Sequence, residues 1–189
     1  IVVVSETIRK SIIELKPEYE KKLEVILDIV NPKLIEKMSE YDEGLIKLNG
    51  CINILTVARL SMLHKGYDLA IKAARLLKDD GYKFKWYVIG DGPDKGKIEK
   101  LIKEYKQQNN IILLGVRDDV NCLMQMFDVF LFPSLFEGLP LAPIEAQAAS
   151  LPVYLSKGRI SSKVIINKKL IHFIDLDEGA NRWANIIIN

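Results

Sequence analysis

Cysteine, histidine, long apolar runs and an excess of either charge are all scarce in this 189-residue sequence, and each scarcity excludes something. The two cysteines, Cys51 and Cys122, each sit among apolar neighbours and read as buried small hydrophobes, not as a disulfide. The two histidines, His64 and His172, stand alone, so no metal-ligand cluster is present and no metal site is expected. Apolar stretches fall far short of the ~20 residues that a membrane span needs. No signal peptide is visible, which makes cytoplasmic residence the default expectation. Basic residues number 27 and acidic ones 25, mixed along the chain, so the formal charge is only +2. That balance leaves no electrostatic footprint for nucleic acid or for an anionic membrane.

What is present is ordinary globular material, 49% apolar and 28% charged, enough for one domain with a substantial core. From about residue 50, short runs rich in Val, Ile and Phe occupy 51–58, 84–89, 111–114, 128–132, 151–155 and 170–174. Amphipathic stretches at 67–80, 94–106 and 119–127 lie between them, with Leu69, Ala73, Leu76 and Leu77 at helical spacing in the first. Strands alternating with helices over short connections predict parallel βαβ units. Continuous apolar strands such as Val129-Phe130-Leu131-Phe132 fit burial on both faces. The fold class is α/β: a Rossmann-like, doubly wound, mostly parallel six-stranded sheet with helices on both faces. Its ligands are expected beyond the carboxyl ends of the strands.

Residues 1–50 are richer in Lys and Glu, with helical patches at 8–15 and 32–39, breaks at Pro17 and Asn31-Pro32, and a candidate strand at 23–30. They read as an interdomain connector with first strand and helix elements, and 51–189 as the ligand-binding domain. The opening run Ile1-Val2-Val3-Val4 has nothing before it to pair with, and the closing Ile186-Ile187-Ile188 has no terminator. Both ends suggest an excised piece of a longer polypeptide.

Gly90-Asp91-Gly92-Pro93-Asp94-Lys95-Gly96-Lys97 follows a strand and opens a helix. A dinucleotide fingerprint would need a third glycine where Lys95 stands. A Walker A loop would need four residues between its glycines and a Ser or Thr where Ile98 stands. Both motifs fail. Gly90 and Gly92 are left as a turn of small steric profile, serving either a tight bend or close backbone approach to a ligand.

The informative segment is Phe132-Pro133-Ser134-Leu135-Phe136-Glu137-Gly138-Leu139-Pro140-Leu141-Ala142-Pro143-Ile144-Glu145-Ala146. Pro143 suits a helix start, which puts Glu137 on the loop at the sheet's carboxyl edge and Glu145 in the next helix's first turn. Alone, Glu145 would be a carboxylate that favours the helix dipole. Gly138 adds backbone N–H groups able to approach a phosphate. Carboxylates on either side could accept from hydroxyl groups, at roughly 1.5–3 kcal/mol for each charge-assisted bond. Arg59 and Lys65, leaving the first strand of the domain, supply two cations suited to a diphosphate.

Arg59 with Lys65-Gly66, then Gly90-Asp91-Gly92-Pro93, Leu114-Gly115, Asp128 to Ser134, Glu137-Gly138 and Glu145-Ala146 occur in one order. This set resembles the carboxyl-terminal, donor-binding domain of family 4 retaining glycosyltransferases of the two-domain GT-B fold, including those of capsular and exopolysaccharide synthesis. The resemblance covers about residues 50–155 and includes that family's two glutamates separated by seven residues. It implies that Arg59 and Lys65 hold the donor diphosphate and stabilise the leaving charge, and that Glu137 contacts the sugar near its reacting carbon. Glu145 would bind the ribose, backbone at Gly138, Leu139 and Pro140 would line sugar and phosphate, and backbone near Val116 would meet the base. No cofactor is implied beyond the nucleotide-diphosphate sugar, which is the donor substrate. The saccharide acceptor would bind an amino-terminal domain absent from this chain, so the isolated piece is expected to transfer no sugar. The full enzyme could associate peripherally with the inner face of the membrane. Ser150 departs from the family, standing where relatives often carry Gly, and the loop after Val153 is reduced to Ser156-Lys157-Gly158-Arg159. A sugar-nucleotide epimerase or phosphorylase of similar fold, and a non-catalytic nucleotide-binding module, are the competing readings.

Overall fold

A computed structural model of the chain describes residues 2–3, 6–25 and 49–188. At the amino terminus, β1 (Val2–Val3) pairs in parallel with β2 (Glu24–Val25), joined by α1 (Glu6–Leu15) and a 3-10 turn at Pro17–Lys22. Val2 and Val3 of the opening run therefore pair with chain that follows them. The expected patch at 32–39, the Asn31-Pro32 break and residues 26–30 of the candidate strand lie outside the described residues.

Six parallel strands form the main sheet: β3 (Ile52–Val57), β4 (Phe84–Ile89), β5 (Ile111–Gly115), β6 (Val129–Phe132), β7 (Val153–Ser156) and β8 (Ile171–Ile174). Their spatial order is β5-β4-β3-β6-β7-β8. Chain order therefore reverses direction between the neighbours β3 and β6, the switch point at which such sheets open a crevice. The helices are α2 (Met62–Lys65), α3 (Tyr67–Asp79), α4 (Lys95–Glu104), α5 (Val120–Met124), α6 (Ala142–Ala148) and α7 (Gly179–Ile187).

Strand side chains alternate between two cores. Ile54, Trp86, Val88 and Leu131 pack with α3, α4 and α7, including Tyr67, Ile98 and Trp183. Leu55, Tyr87, Phe130, Phe132 and Val153 pack with α5 and α6, including Leu123, Met124 and Ile144. Both faces of the central strands are covered, which is why β6 reads as an unbroken apolar run. One buried polar relay crosses the switch point: Trp86 Nε1–H donates to Thr56 Oγ1 (2.9 Å), and that hydroxyl donates to the Leu131 carbonyl (2.6 Å). At the other end of the same strands, Asp128 Oδ2 accepts from Asn53 N–H (2.8 Å), so this motif residue aligns β6 with β3 far from the crevice.

Cys122 is buried as expected, whereas Cys51 is only half-buried, and the two form no disulfide. Cys51 lies just ahead of β3 at the sheet's amino-terminal edge, where cover is incomplete.

Candidate functional site

The arm that leaves β3 carries the cations. Lys65 follows the first strand and precedes the long helix α3, and it ends the one-turn helix α2 between them. Gly66 follows at φ 63, and a Cβ there would lie 2.1 Å from the Pro133 carbonyl oxygen. Only glycine allows that approach, and it brings Lys65 against the loop after β6. The contact is reinforced by Leu135 N–H donating to the His64 carbonyl (2.7 Å).

Gly90 and Gly92 serve the same arm. A Cβ on Gly90 would lie 2.1 Å from the Ala58 carbonyl oxygen, and one on Gly92 2.4 Å from that of Leu60. Backbone bonds run from Ala58 N–H to Ile89 O (3.0 Å), Leu60 N–H to Asp91 O (3.0 Å) and Asp94 N–H to Leu60 O (3.1 Å). Asp94 then accepts from Met62 N–H at the start of α2 (3.0 Å). Its carboxyl is held below the usual range by the Lys97 ammonium first and by this N–H second. The glycine turn is thus explained by loop-to-loop packing. Its own N–H groups are spent inside the protein, Gly90 on the Gly115 carbonyl (2.7 Å) and Gly92 on Asp91 Oδ1 (2.8 Å).

Arg59, Ser61, His64, Lys65, Pro93, Phe136 and Glu137 line a cleft of about 360 Å³ at the switch point. Within it Lys65 and Glu137 form an ion pair, with both side chains mostly buried and the ammonium 5.1 Å from the Phe132 ring centroid. Glu137 N–H donates to the Arg159 carbonyl (3.2 Å), so the shortened loop after β7 supports this residue from behind. Arg59 is exposed, and its guanidinium makes no bond to any described residue.

Three of the expected site residues, Arg59, Lys65 and Glu137, therefore meet in one cleft. The others do not line it. Glu145 sits in the first turn of α6, half-buried, with its carboxyl pushed up by burial and no side-chain partner among the described residues. An unpaired carboxylate with a perturbed pKa is a functional candidate. Gly138 and Pro140 are half-buried and Leu139 is buried in the α5/α6 core. Val116 is 74% exposed beyond the end of β5. Sequence reasoning missed Ser61, His64, Pro93 and Phe136 as lining residues. His64 reads as solitary in the sequence, although its i, i+3 spacing from Ser61 is the available signal. Among the described residues, no group of His, Cys, Asp and Glu could hold a metal ion, and no helix is long and apolar enough to cross a membrane.

The chain is similar to known proteins in sequence and in fold. The family model described as "Glycosyl transferases group 1" matches residues 40–183. EpsF of Bacillus subtilis (strain 168) is 35% identical over 135 residues, covering 70% of this chain and 35% of that protein. The amylovoran biosynthesis glycosyltransferase AmsK of Erwinia amylovora is 34% identical over 114 residues, 56% of this chain and 28% of its own. Among solved structures, Anabaena Alr3699/HepE in complex with UDP and glucose superposes with a TM-score of 0.78 at 18% identity, over 99% of this chain and 52% of that one. At that identity the likeness is one of fold. The chain spans about a third of the length of these curated relatives.

Proposed function

The chain belongs to the group 1 glycosyl transferases, and from that membership we propose that its cleft is the donor side of a retaining sugar transfer. The donor is a nucleoside-diphosphate sugar and the acceptor a saccharide of a growing polysaccharide. One observation carries the reading: Arg59, Lys65 and Glu137 converge where the sheet reverses direction. Cations there suit a diphosphate, and charge develops on that group as the sugar bond breaks. Each ~1.4 kcal/mol by which they favour the transition state over the ground state is worth about tenfold in rate. In this reading Glu137 faces the sugar, and Glu145, unpaired and half-buried, accepts from ribose hydroxyls. The relatives' greater length accommodates a second domain for the acceptor, so this chain by itself binds donor without transferring sugar. The reaction runs on the cytoplasmic side, where nucleotide sugars are made.

Kinetics of the two-domain enzyme carrying this chain test the assignment. Glu145→Ala is expected to raise the donor KM, and Glu137→Ala to lower kcat by roughly 10²–10³ with a smaller change in KM. Donor affinity untouched by Glu145→Ala would contradict the ribose role. A product whose anomeric configuration is inverted relative to the donor, measured by NMR, would contradict retention.

A further inference from the structure

Charge within the cleft is unevenly placed. Lys65 is already neutralised by Glu137, so attraction for an anion falls mainly on Arg59. A third nitrogen-bearing group stands beside them: His64, exposed, on the same helical turn as Lys65. Its Nδ1 lies 3.2 Å from Ser61 Oγ, and Ser61 also lines the cleft. The hydroxyl is not used as a helix cap, although Ser61 occupies the capping position of α2. A serine hydroxyl that donates to Nδ1 leaves the ring proton on Nε2. We propose that His64 is a third phosphate-contacting residue, donating from Nε2 to the terminal phosphate of a bound nucleoside diphosphate, with Ser61 as the residue that sets its tautomer. This rests on the donor-site reading and adds to it a specific discrimination. The histidine senses the second phosphate, so it separates nucleoside diphosphates from monophosphates.

Calorimetric titration of this chain with UMP and UDP, and with the matching adenosine and guanosine pairs, tests both statements separately. For the base that binds, wild type should prefer the diphosphate. His64→Ala should weaken diphosphate binding roughly ten- to a hundredfold and leave the monophosphate constant unchanged. Ser61→Ala should give a smaller loss confined to the diphosphate, because the ring persists without its tautomer fixed. His64 is exposed, so unchanged thermal melting will show that the variants are folded. Equal diphosphate affinity in His64→Ala and wild type would overturn the role of His64 and leave the donor site standing. Losses of equal size for mono- and diphosphate would also overturn it. Failure of wild type to bind any of the diphosphates would overturn the donor-site reading itself.

Discussion

Glu145 sits in surroundings that work against its charged form. Burial raises its pKa, and no described side chain compensates. A carboxyl whose folded pKa exceeds its unfolded value binds its proton more tightly in the folded state. Stability is then fullest below the ordinary value of 4.5 and declines as pH rises through the folded pKa. Glu145→Gln should therefore melt at a higher temperature than wild type at pH 7, with the gap closing below pH 4.5. A gap that widens towards acid would contradict the sign. The pairing of Glu137 with Lys65 has the opposite character, since each satisfies the other until a ligand intervenes. The family resemblance singled out these two glutamates as a pair, but it did not reveal their unequal surroundings. Burial depends on which loops cover a residue, and those loops come from distant sequence.

Elements were legible wherever one local period ruled the chain. All six strands of the main sheet appeared as short, largely apolar runs, and β6, buried on both faces, as an unbroken one. The stretch 119–127 shortened to Val120–Met124, since Phe127 packs in the core from a turn and not from a helix. Helix α2 was invisible because four residues are too few to show a period. Strand order and the β1–β2 pairing depend on nonlocal contacts that no window displays. Ser150, singled out as a departure from relatives, marks the end of α6. Its N–H bonds the Gln147 carbonyl (3.0 Å), the Leu151 N–H reaches the Ala146 carbonyl (2.9 Å), and its φ is 62. This is the left-handed C′ position of a Schellman motif, filled at the end of α3 by Gly81 at φ 84. Ser150→Gly should stabilise the domain by roughly 1 kcal/mol, less the extra backbone freedom of glycine in the unfolded chain. Urea denaturation measures it, and a lower midpoint would refute the account.

At the scale of the whole molecule, the fold concentrates its chemistry on one rim and leaves the sheet's two layers to hold that rim in place. Close approaches at Gly66, Gly90 and Gly92 fasten the cation-bearing arm to its neighbouring loops, so the site inherits the sheet's rigidity. The division of the core has a spectroscopic consequence. Both tryptophans, Trp86 and Trp183, belong to the layer of α3, α4 and α7, and the α5/α6 layer beneath Glu145 has none. Indole fluorescence is therefore a one-sided probe of this domain. Each central strand sends alternate side chains into both layers, so neither can separate while the other stays packed. Fluorescence and far-ultraviolet dichroism should accordingly trace one coincident urea transition. A dichroism change that precedes the fluorescence change would mean that the layer carrying Glu145 lets go first.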